Sequence, residues 1–553
     1  MTINERIVNS SLWAAYGDAL GYITELADEK SIKKRIPSSR VYGLTEWKRF
    51  IGGINGINTL LPSGTYSDDT QLRLSTSRCI NASGYFDVDS FSKIELPVWL
   101  SYALGAGYGS KAAAKNLTKS SVSWFSNFYE DKKTNYFKSG GNGAMMRIQP
   151  HVWSTLQTKK SGMLLDVIRN TICTHGHIRA IAGSCLHALI LRWSFKHSMI
   201  PDINTCLDLS RSLITIDSIF LDDVEISSIW LPYWEEKTGL SFKESMAKVI
   251  KEIIDDFKLL QSIPEEEKPQ LKYYEALKIL GGFDPSQRGS GTKTAILSWY
   301  LSDLFKDSPH NAMISAANAF ESDTDTIATA AGAILGSVCN IAPPERVLDQ
   351  AYITSEARRI SLINNSQNVN EFTFPAIQNW TPPRNQLDSL ITSDKDSAPY
   401  IMGLGKVIYQ SSEQLIGRNN SLRWNWVKTH FGQTMLIRSR AIPKQSSTPS
   451  ISGYVERINS SSNTIKNSGQ EQQINSQKSI FDLPSIKRGR DIKTPTEQNK
   501  DVSIDKIIEE INEKNFTPES IGTAFLDLVS RNNKIEDIII FSSLLTSELR
   551  KLK

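Results

Sequence analysis

Residues 327–336 read Ile-Ala-Thr-Ala-Ala-Gly-Ala-Ile-Leu-Gly, a run that is almost wholly small or apolar. A helix of this composition has no polar face to turn to water, so it must be buried, and its small side chains imply close packing on its neighbours. Such a segment needs other helices around it. Near the amino terminus Ile7, Val8, Leu12 and Ala15 recur at helical spacing and run into Ala14-Ala-Tyr-Gly-Asp-Ala-Leu-Gly21. Up to about residue 375 apolar helical stretches alternate with Gly-rich loops, and strand-like alternation is scarce. The expectation is a mainly α domain over 1–375, with a helical elaboration at about 204–280 whose surface carries polar runs such as Glu265-Glu-Glu-Lys268.

Beyond it the character changes. Leu422, Trp424 and Trp426 alternate with Arg423 and Asn425, and Gly405-Lys-Val-Ile-Tyr409 is β-prone, so a small strand-containing module is expected at 380–441. The two tryptophans at strand spacing read as core residues rather than base-stacking ones. Residues 442–502 turn to Ser, Asn, Gln, Lys and Pro and cannot bury enough to pack, which reads as a disordered, flexible linker. The apolar faces Ile507/Ile508/Ile511, Phe525/Leu528/Val529 and Ile538/Phe541/Leu545 then mark a short helical module at 503–553. They exceed what three short helices bury among themselves, so the module is expected to dock on a protein partner or to self-associate.

Composition narrows the function classes. With Lys+Arg 63 against Asp+Glu 59 the net charge is +4 over 553 residues, so nucleic-acid binding is possible but is not indicated by overall charge. No apolar run is long enough for a transmembrane helix, and Met1-Thr-Ile-Asn-Glu-Arg does not resemble a secretory signal. The five cysteines are scattered and form no CxxC pair, which excludes a cysteine-rich zinc site and fits a reducing cytoplasm. A cytoplasmic protein without membrane contact is expected.

The chemistry concentrates in two acidic clusters. Ser67-Asp68-Asp69-Thr70 places two carboxylates between two hydroxyls at the opening of a helical stretch, with Ser67 suited to the N-cap. Glu321-Ser-Asp323-Thr-Asp325-Thr326 repeats the composition immediately before the buried small-residue helix. One such cluster is ordinarily a helix cap on solvated surface. A second, leading into a helix that must be buried, is harder to explain that way, because buried carboxylates need partners or metals. Hard divalent cations take such carboxylate and hydroxyl oxygens, and two clusters together suit two ions. On residue chemistry alone the reaction stays open between phosphoester and glycoside hydrolysis. Asp18, inside an apolar helix, reads as a buried hydrogen-bonding group, and Arg147 as a brace for the loop before it.

These motifs fall in a recognisable order: Gly17-Asp-Ala-Leu-Gly21 with Glu25, Ser67-Asp-Asp-Thr70, Gly141-Asn-Gly-Ala-Met-Met-Arg147, Thr174-His175, and Asp323-Thr-Asp-Thr326. Over roughly residues 5–350 the chain resembles the ADP-ribosylglycohydrolase family, which includes the dinitrogenase reductase-activating glycohydrolases. The resemblance implies a compact all-helical domain with a binuclear Mg²⁺ centre, Mn²⁺ being possible, at the base of an ADP-ribose cleft. It carries metal ligation onto Ser67, Asp68, Asp69, Asp323, Asp325 and Thr326. It carries contact with the diphosphate and distal ribose onto Gly141, Asn142, Gly143 and Ala144, and the cleft lining onto His175. The Gly289–Thr294 stretch falls where relatives carry a second ligand-facing loop.

The implied activity is metal-assisted hydrolysis of an N- or O-glycosidic ADP-ribosyl bond, with Asp325 or Glu25 as proton acceptor or donor. The partner would be an ADP-ribosylated protein or another ADP-ribosylated acceptor, in the setting of a bacterial regulatory, toxin-neutralising or defence system. Two alternatives stand beside it: a catalytically silent ADP-ribose-binding protein, since some relatives are structural crystallins, and a metal-dependent phosphohydrolase.

Overall fold

The small-residue run forms the middle of a helix, Thr324–Val338, in which residues 324–337 are all buried. The computed structural model describes residues 1–440 except 266, 384, 392–397 and 419, then 504–530 except 515, and finally 541 and 545. The linker expected at 442–502 and most of a third C-terminal helix therefore lie outside the described residues.

The principal partner of this helix is the N-terminal helix, Ile3–Thr24, begun by a capping box between Thr2 and Glu5. The two backbones all but touch. A Cβ added to Gly17 would strike the Ala328 carbonyl, one on Gly332 the Trp13 carbonyl, and one on Gly21 the backbone of Asp325. Close packing is thus what the small residues provide, as their composition implied. The helices Ile178–His197, Gly291–Leu304 and Gln350–Asn364 complete the bundle around this pair. Residues 204–280 are helical as well, with Phe242–Gln261 the longest element there. Met145 and Met146, which follow the Gly-Asn-Gly motif, turn into the core and are 0% and 3% exposed.

An antiparallel hairpin is an addition to the all-helical expectation. Its strands, β1 (Trp47–Ile51) and β2 (Ile57–Leu61), pair with Arg49 opposite Thr59. Ile57, Thr59 and Leu61 are buried while Asn58 and Leu60 face out, the alternation of a half-buried strand. Five residues of alternation are short enough to be lost among helical segments in the sequence.

The expected strand module is present as β3 (Leu390–Ile391), β4 (Tyr400–Ile401), β5 (Gly405–Gln410), β6 (Leu415–Ile416), β7 (Leu422–Thr429) and β8 (Thr434–Arg440). The order runs β3-β4-β5-β7, with β6 and β8 also paired to β7 and every pairing antiparallel. Trp424 is 2% exposed and fills core, as strand-spaced aromatics usually do. The module continues the hydrophobic core of the helices. Arg78, buried and paired to Glu95 at 2.6 Å, also donates to Tyr352 Oη at 3.0 Å and Gln433 Oε1 at 2.8 Å.

The C-terminal unit is a body of its own. Its helices Ile504–Glu513 and Pro518–Ser530 bury Ile508, Ile511 and Leu528 around Phe541, while Phe525 and Leu526 stay exposed at 38% and 67%. Among the described residues no helix is long and apolar enough to cross a membrane.

Candidate functional site

The close approach of the two glycine-notched helices decides where the acids meet. Asp18 is buried within the N-terminal helix, and its two oxygens accept the Ser67 and Thr70 backbone N–H groups, each at 2.8 Å. It therefore holds the start of the next helix, Asp68–Arg78, where Ser67 Oγ caps the Asp69 N–H at 3.2 Å. At the other motif Thr324 Oγ1 donates to the Gly21 carbonyl at 2.7 Å, seating the opening of the small-residue helix on the same N-terminal helix. Both acidic motifs are thus anchored to one element, and they touch: Thr326 Oγ1 donates to Asp69 Oδ1 at 3.4 Å.

The result is a knot of carboxylates removed from water. Burial, then the charges of Glu25 and Asp18, holds the Asp68 carboxyl well above the usual range. Burial raises Asp69 too, with Asp18, Asp68 and Asp323 adding to it. Asp325 is raised by burial and then by Glu25, Asp69 and Asp323. Asp323 is raised by burial, though hydrogen bonds ease it. Asp69 Oδ2 is buried with no hydrogen-bond partner. Behind the acids stands Arg73, itself buried, which donates to Thr70 Oγ1 at 2.8 Å. Among the described residues no group of three or more His, Cys, Asp or Glu side chains is arranged to hold a metal ion. The acids are instead set close together by their separate backbone anchors.

Glu25 is held differently. Its Oε2 receives Arg49 Nη2 from the hairpin at 2.6 Å, and the Arg49 guanidinium lies 4.2 Å over the Tyr22 ring. Sequence reading did not find Arg49, since a single arginine in a five-residue strand carries no motif.

The expected ligand loops also meet. Gly141 bridges Ser290, and the Asn142 N–H donates to the Gly289 carbonyl at 2.9 Å, which joins the Gly141–Ala144 loop to the 289–294 stretch. Asn142 Nδ2 donates to Asp323 Oδ2 at 2.7 Å and to Thr294 Oγ1 at 2.9 Å, tying this loop to the acids. Arg147 braces the loop from behind, donating to the Gly143 carbonyl at 2.9 Å and to Thr174 Oγ1 at 2.8 Å. His175 stands beside Gly143, where a Cβ would come within 3.2 Å of its Nε2. Burial, helped by the charge of Arg147, lowers its pKa to about 3, so its ring is neutral.

A further wall went unnoticed in the sequence, although Gly105-Ala-Gly-Tyr-Gly109 signals close backbone approach. A Cβ on Gly105 would lie 3.0 Å from Asp68 Oδ1, and one on Gly143 would lie 2.9 Å from Ser110 Oγ. Residues 105–110 therefore line both the acid knot and the glycine loop.

A family model described as ADP-ribosylglycohydrolase matches residues 1–365. Among solved structures the chain is similar to one named an ADP-ribosylglycohydrolase-related protein complex, at 18% identity over 66% of this chain and 99% of that one, with a TM-score of 0.38. No curated protein matches the chain.

Proposed function

The chain belongs to the ADP-ribosylglycohydrolase family, and from that premise we propose that it frees ADP-ribose from a modified acceptor by hydrolysing the N- or O-glycosidic bond at the anomeric carbon. The family supports a hydrolase acting on ADP-ribosylated substrates. Divalent-cation dependence and the residue roles are our reading. The observation that carries it is the meeting of two acidic motifs 257 residues apart at Asp69 and Thr326, with Asp69 Oδ2 buried and unpartnered. Carboxylates forced together in this way suit a cation that neutralises them.

Ser67, Asp68, Asp69, Asp323, Asp325 and Thr326 are the proposed holders of two Mg²⁺, or Mn²⁺ in their place. Such ions, when bound, supply charge stabilisation and a more acidic water. The rest is the work of the chain's own groups. Gly141, Asn142, Gly143 and Ala144 admit the diphosphate and distal ribose, because small residues let backbone N–H groups approach phosphate oxygens. His175, neutral, lines the cleft without adding charge. Asp325 or Glu25 moves the proton of the attacking water or the leaving acceptor, and Arg49 fixes the direction in which Glu25 points. The two C-terminal helices serve partner docking or self-association. The five unpaired cysteines support a cytoplasmic setting.

The test is a chromatographic assay with Mg²⁺ on ADP-ribosylated arginine, serine and nucleic acid, comparing wild type with Asp325→Asn and with the Asp68→Asn/Asp69→Asn pair. Free ADP-ribose and intact acceptor from wild type alone support the proposal. Phosphate release would identify a phosphohydrolase instead, and binding without turnover a silent ADP-ribose binder. Near-wild-type turnover by Asp325→Asn would refute the cation assignment.

A further inference from the structure

The wall that closes the acid knot on one side continues into a cationic surface. Residues 105–140 hold six lysines, at 111, 115, 119, 132, 133 and 138, against Glu130 and Asp131 alone. That excess of four equals the net charge of the whole chain, +4 over 553 residues. All six are exposed, and none forms an ion pair with a carboxylate among the described residues. A near-neutral chain has thus gathered positive charge without ion-pair partners in one segment, which begins at the site.

Aromatic surface is interleaved with it. Tyr108 is 61% exposed, and its ring is flanked by the ammonium groups of Lys111 and Lys133 at 5.3 and 4.7 Å from the centroid. It sits three residues beyond Gly105, which abuts Asp68, and next to Gly109, where a Cβ would be 3.5 Å from His175 Nε2. The same segment then lines a cavity of about 650 Å³ shared by Phe128, Phe137, Lys138, His177, Tyr233 and Lys237. There Phe128 and Tyr233 stack at 4.2 Å, and Lys237, itself paired to Glu236 at 3.2 Å, lies 5.1 Å from the Tyr233 centroid; Glu130 is the acidic residue of the lining. His177 borders the glycine loop as well, since a Cβ on Gly140 would lie 2.9 Å from its Nδ1.

The surface thus offers one exposed ring, Tyr108, between two unpaired lysines, and half-buried rings farther along at Phe128, Phe137 and Tyr233. Aromatic rings and ammonium groups are the two components by which proteins hold single-stranded nucleic acid: rings stack on bases and ammonium groups track phosphates. A guanidinium-bearing acceptor would meet like charge at this mouth, and an acidic peptide would use the lysines but leave the rings unused. We propose that the acceptor presented to this cleft is a single-stranded nucleic acid, held at the mouth by Tyr108, Lys111 and Lys133 and further along by the aromatic cavity at Phe128, Phe137 and Tyr233. This rests on the hydrolase reading above for the reaction, and on charge and ring placement for the acceptor.

The test uses the full chain and fluorescein-labelled, unmodified single-stranded DNA and RNA of about 20 nucleotides, long enough to span a binding groove. Fluorescence anisotropy follows binding from about 50 to about 200 mM salt. The expectation is salt-dependent binding of one or both. Lys111→Ala/Lys133→Ala should lower the slope of log K against log salt by about 1.4, at about 0.7 per lost phosphate contact. Tyr108→Ala should weaken binding by about 5-fold to 150-fold while Tyr108→Phe preserves it, because stacking needs the ring and not the hydroxyl. All three residues are exposed, and an unchanged thermal melt establishes that the variants are folded.

Absence of binding at low salt, or binding that ignores both variants, would overturn the proposal. Equal competition by poly-glutamate would reassign the surface to an acidic protein and overturn it too. None of these measurements depends on turnover. Oligonucleotide binding by a wild-type chain that releases no ADP-ribose would refute the hydrolase reading and leave the surface standing, so the two failures are separable.

Discussion

Replacing Asp69 by Asn should make the cation-free protein more stable, and the gain should grow with pH. Asp69 is 1% exposed and its Oδ2 lacks a hydrogen-bond partner, so burial disfavours its charged form. Burial first, and then Asp18, Asp68 and Asp323, raise its pKa above the ordinary value. The sign follows from linkage. An acid whose folded pKa exceeds its unfolded value of about 3.9 imposes no penalty below that value, and stability is lost as pH rises from there through the folded pKa. The loss is about 1.4 kcal/mol per pH unit for each proton that the folded state retains. The amide keeps the shape of the side chain and removes the charge. Urea unfolding in chelator at mildly acidic and mildly alkaline pH measures the difference between wild type and variant. Added Mg²⁺ should narrow the difference, stabilising wild type by about 2.7 kcal/mol at a hundredfold excess over Kd and the variant by less. A wild-type-to-variant difference that does not change with pH in chelator, or equal stabilisation of both by Mg²⁺, would refute the reasoning.

The helix pair gives a contrast between two glycines. Gly17→Ala drives a Cβ into the Ala328 backbone and should cost about 1–3 kcal/mol, whereas Gly162, in a helix with nothing within 4 Å of its added Cβ, should gain about 0.5–1 kcal/mol as alanine; urea midpoints read both. Arg78→Met strands Glu95 in the core, both side chains being 0% exposed, and should lose about 3–5 kcal/mol in the same measurement. Truncation after residue 441 should leave turnover on a small ADP-ribosylated substrate intact and change the oligomeric state seen by light scattering. Loss of that turnover in a folded truncation would mean that the tail completes the site.

What the sequence disclosed follows from where the physics is local. The small-residue helix and the Ser67 cap could be read because burial and capping are set by neighbouring residues. The Gly141–Ala144 loop and the 289–294 stretch are legible one at a time, but their pairing through Gly141 and Ser290 is a long-range contact. Asp18 was read as a buried hydrogen-bonding group, and it accepts from Ser67 and Thr70, yet nothing local names those partners. Arg49 was invisible for the same reason: its meaning lies in Glu25, 24 residues earlier, and in a hairpin whose alternation is too short to stand out. The lysines of 105–140 were diluted in a whole-chain balance of +4, and only the fold shows that their segment begins against Asp68, at Gly105.

The site is built against its own electrostatics, and the scaffold explains how that is tolerated. Four carboxylates at 68, 69, 323 and 325 repel one another in a place where water cannot screen them. Surface loops in that position would move apart. Here Asp18 fixes one motif through two backbone N–H groups, and Thr324 fixes the other to the Gly21 carbonyl. Both anchors sit on a helix pair brought into backbone contact by glycines at 17, 21 and 332. The strain of gathering charge is therefore borne by close helix packing and by hydrogen bonds to backbone groups. That separation lets the acids be chosen for chemistry, since the fold does not rely on them for stability. It also explains why the feature that most restricts the fold, a run of small residues, lies directly behind the residues proposed to carry the reaction.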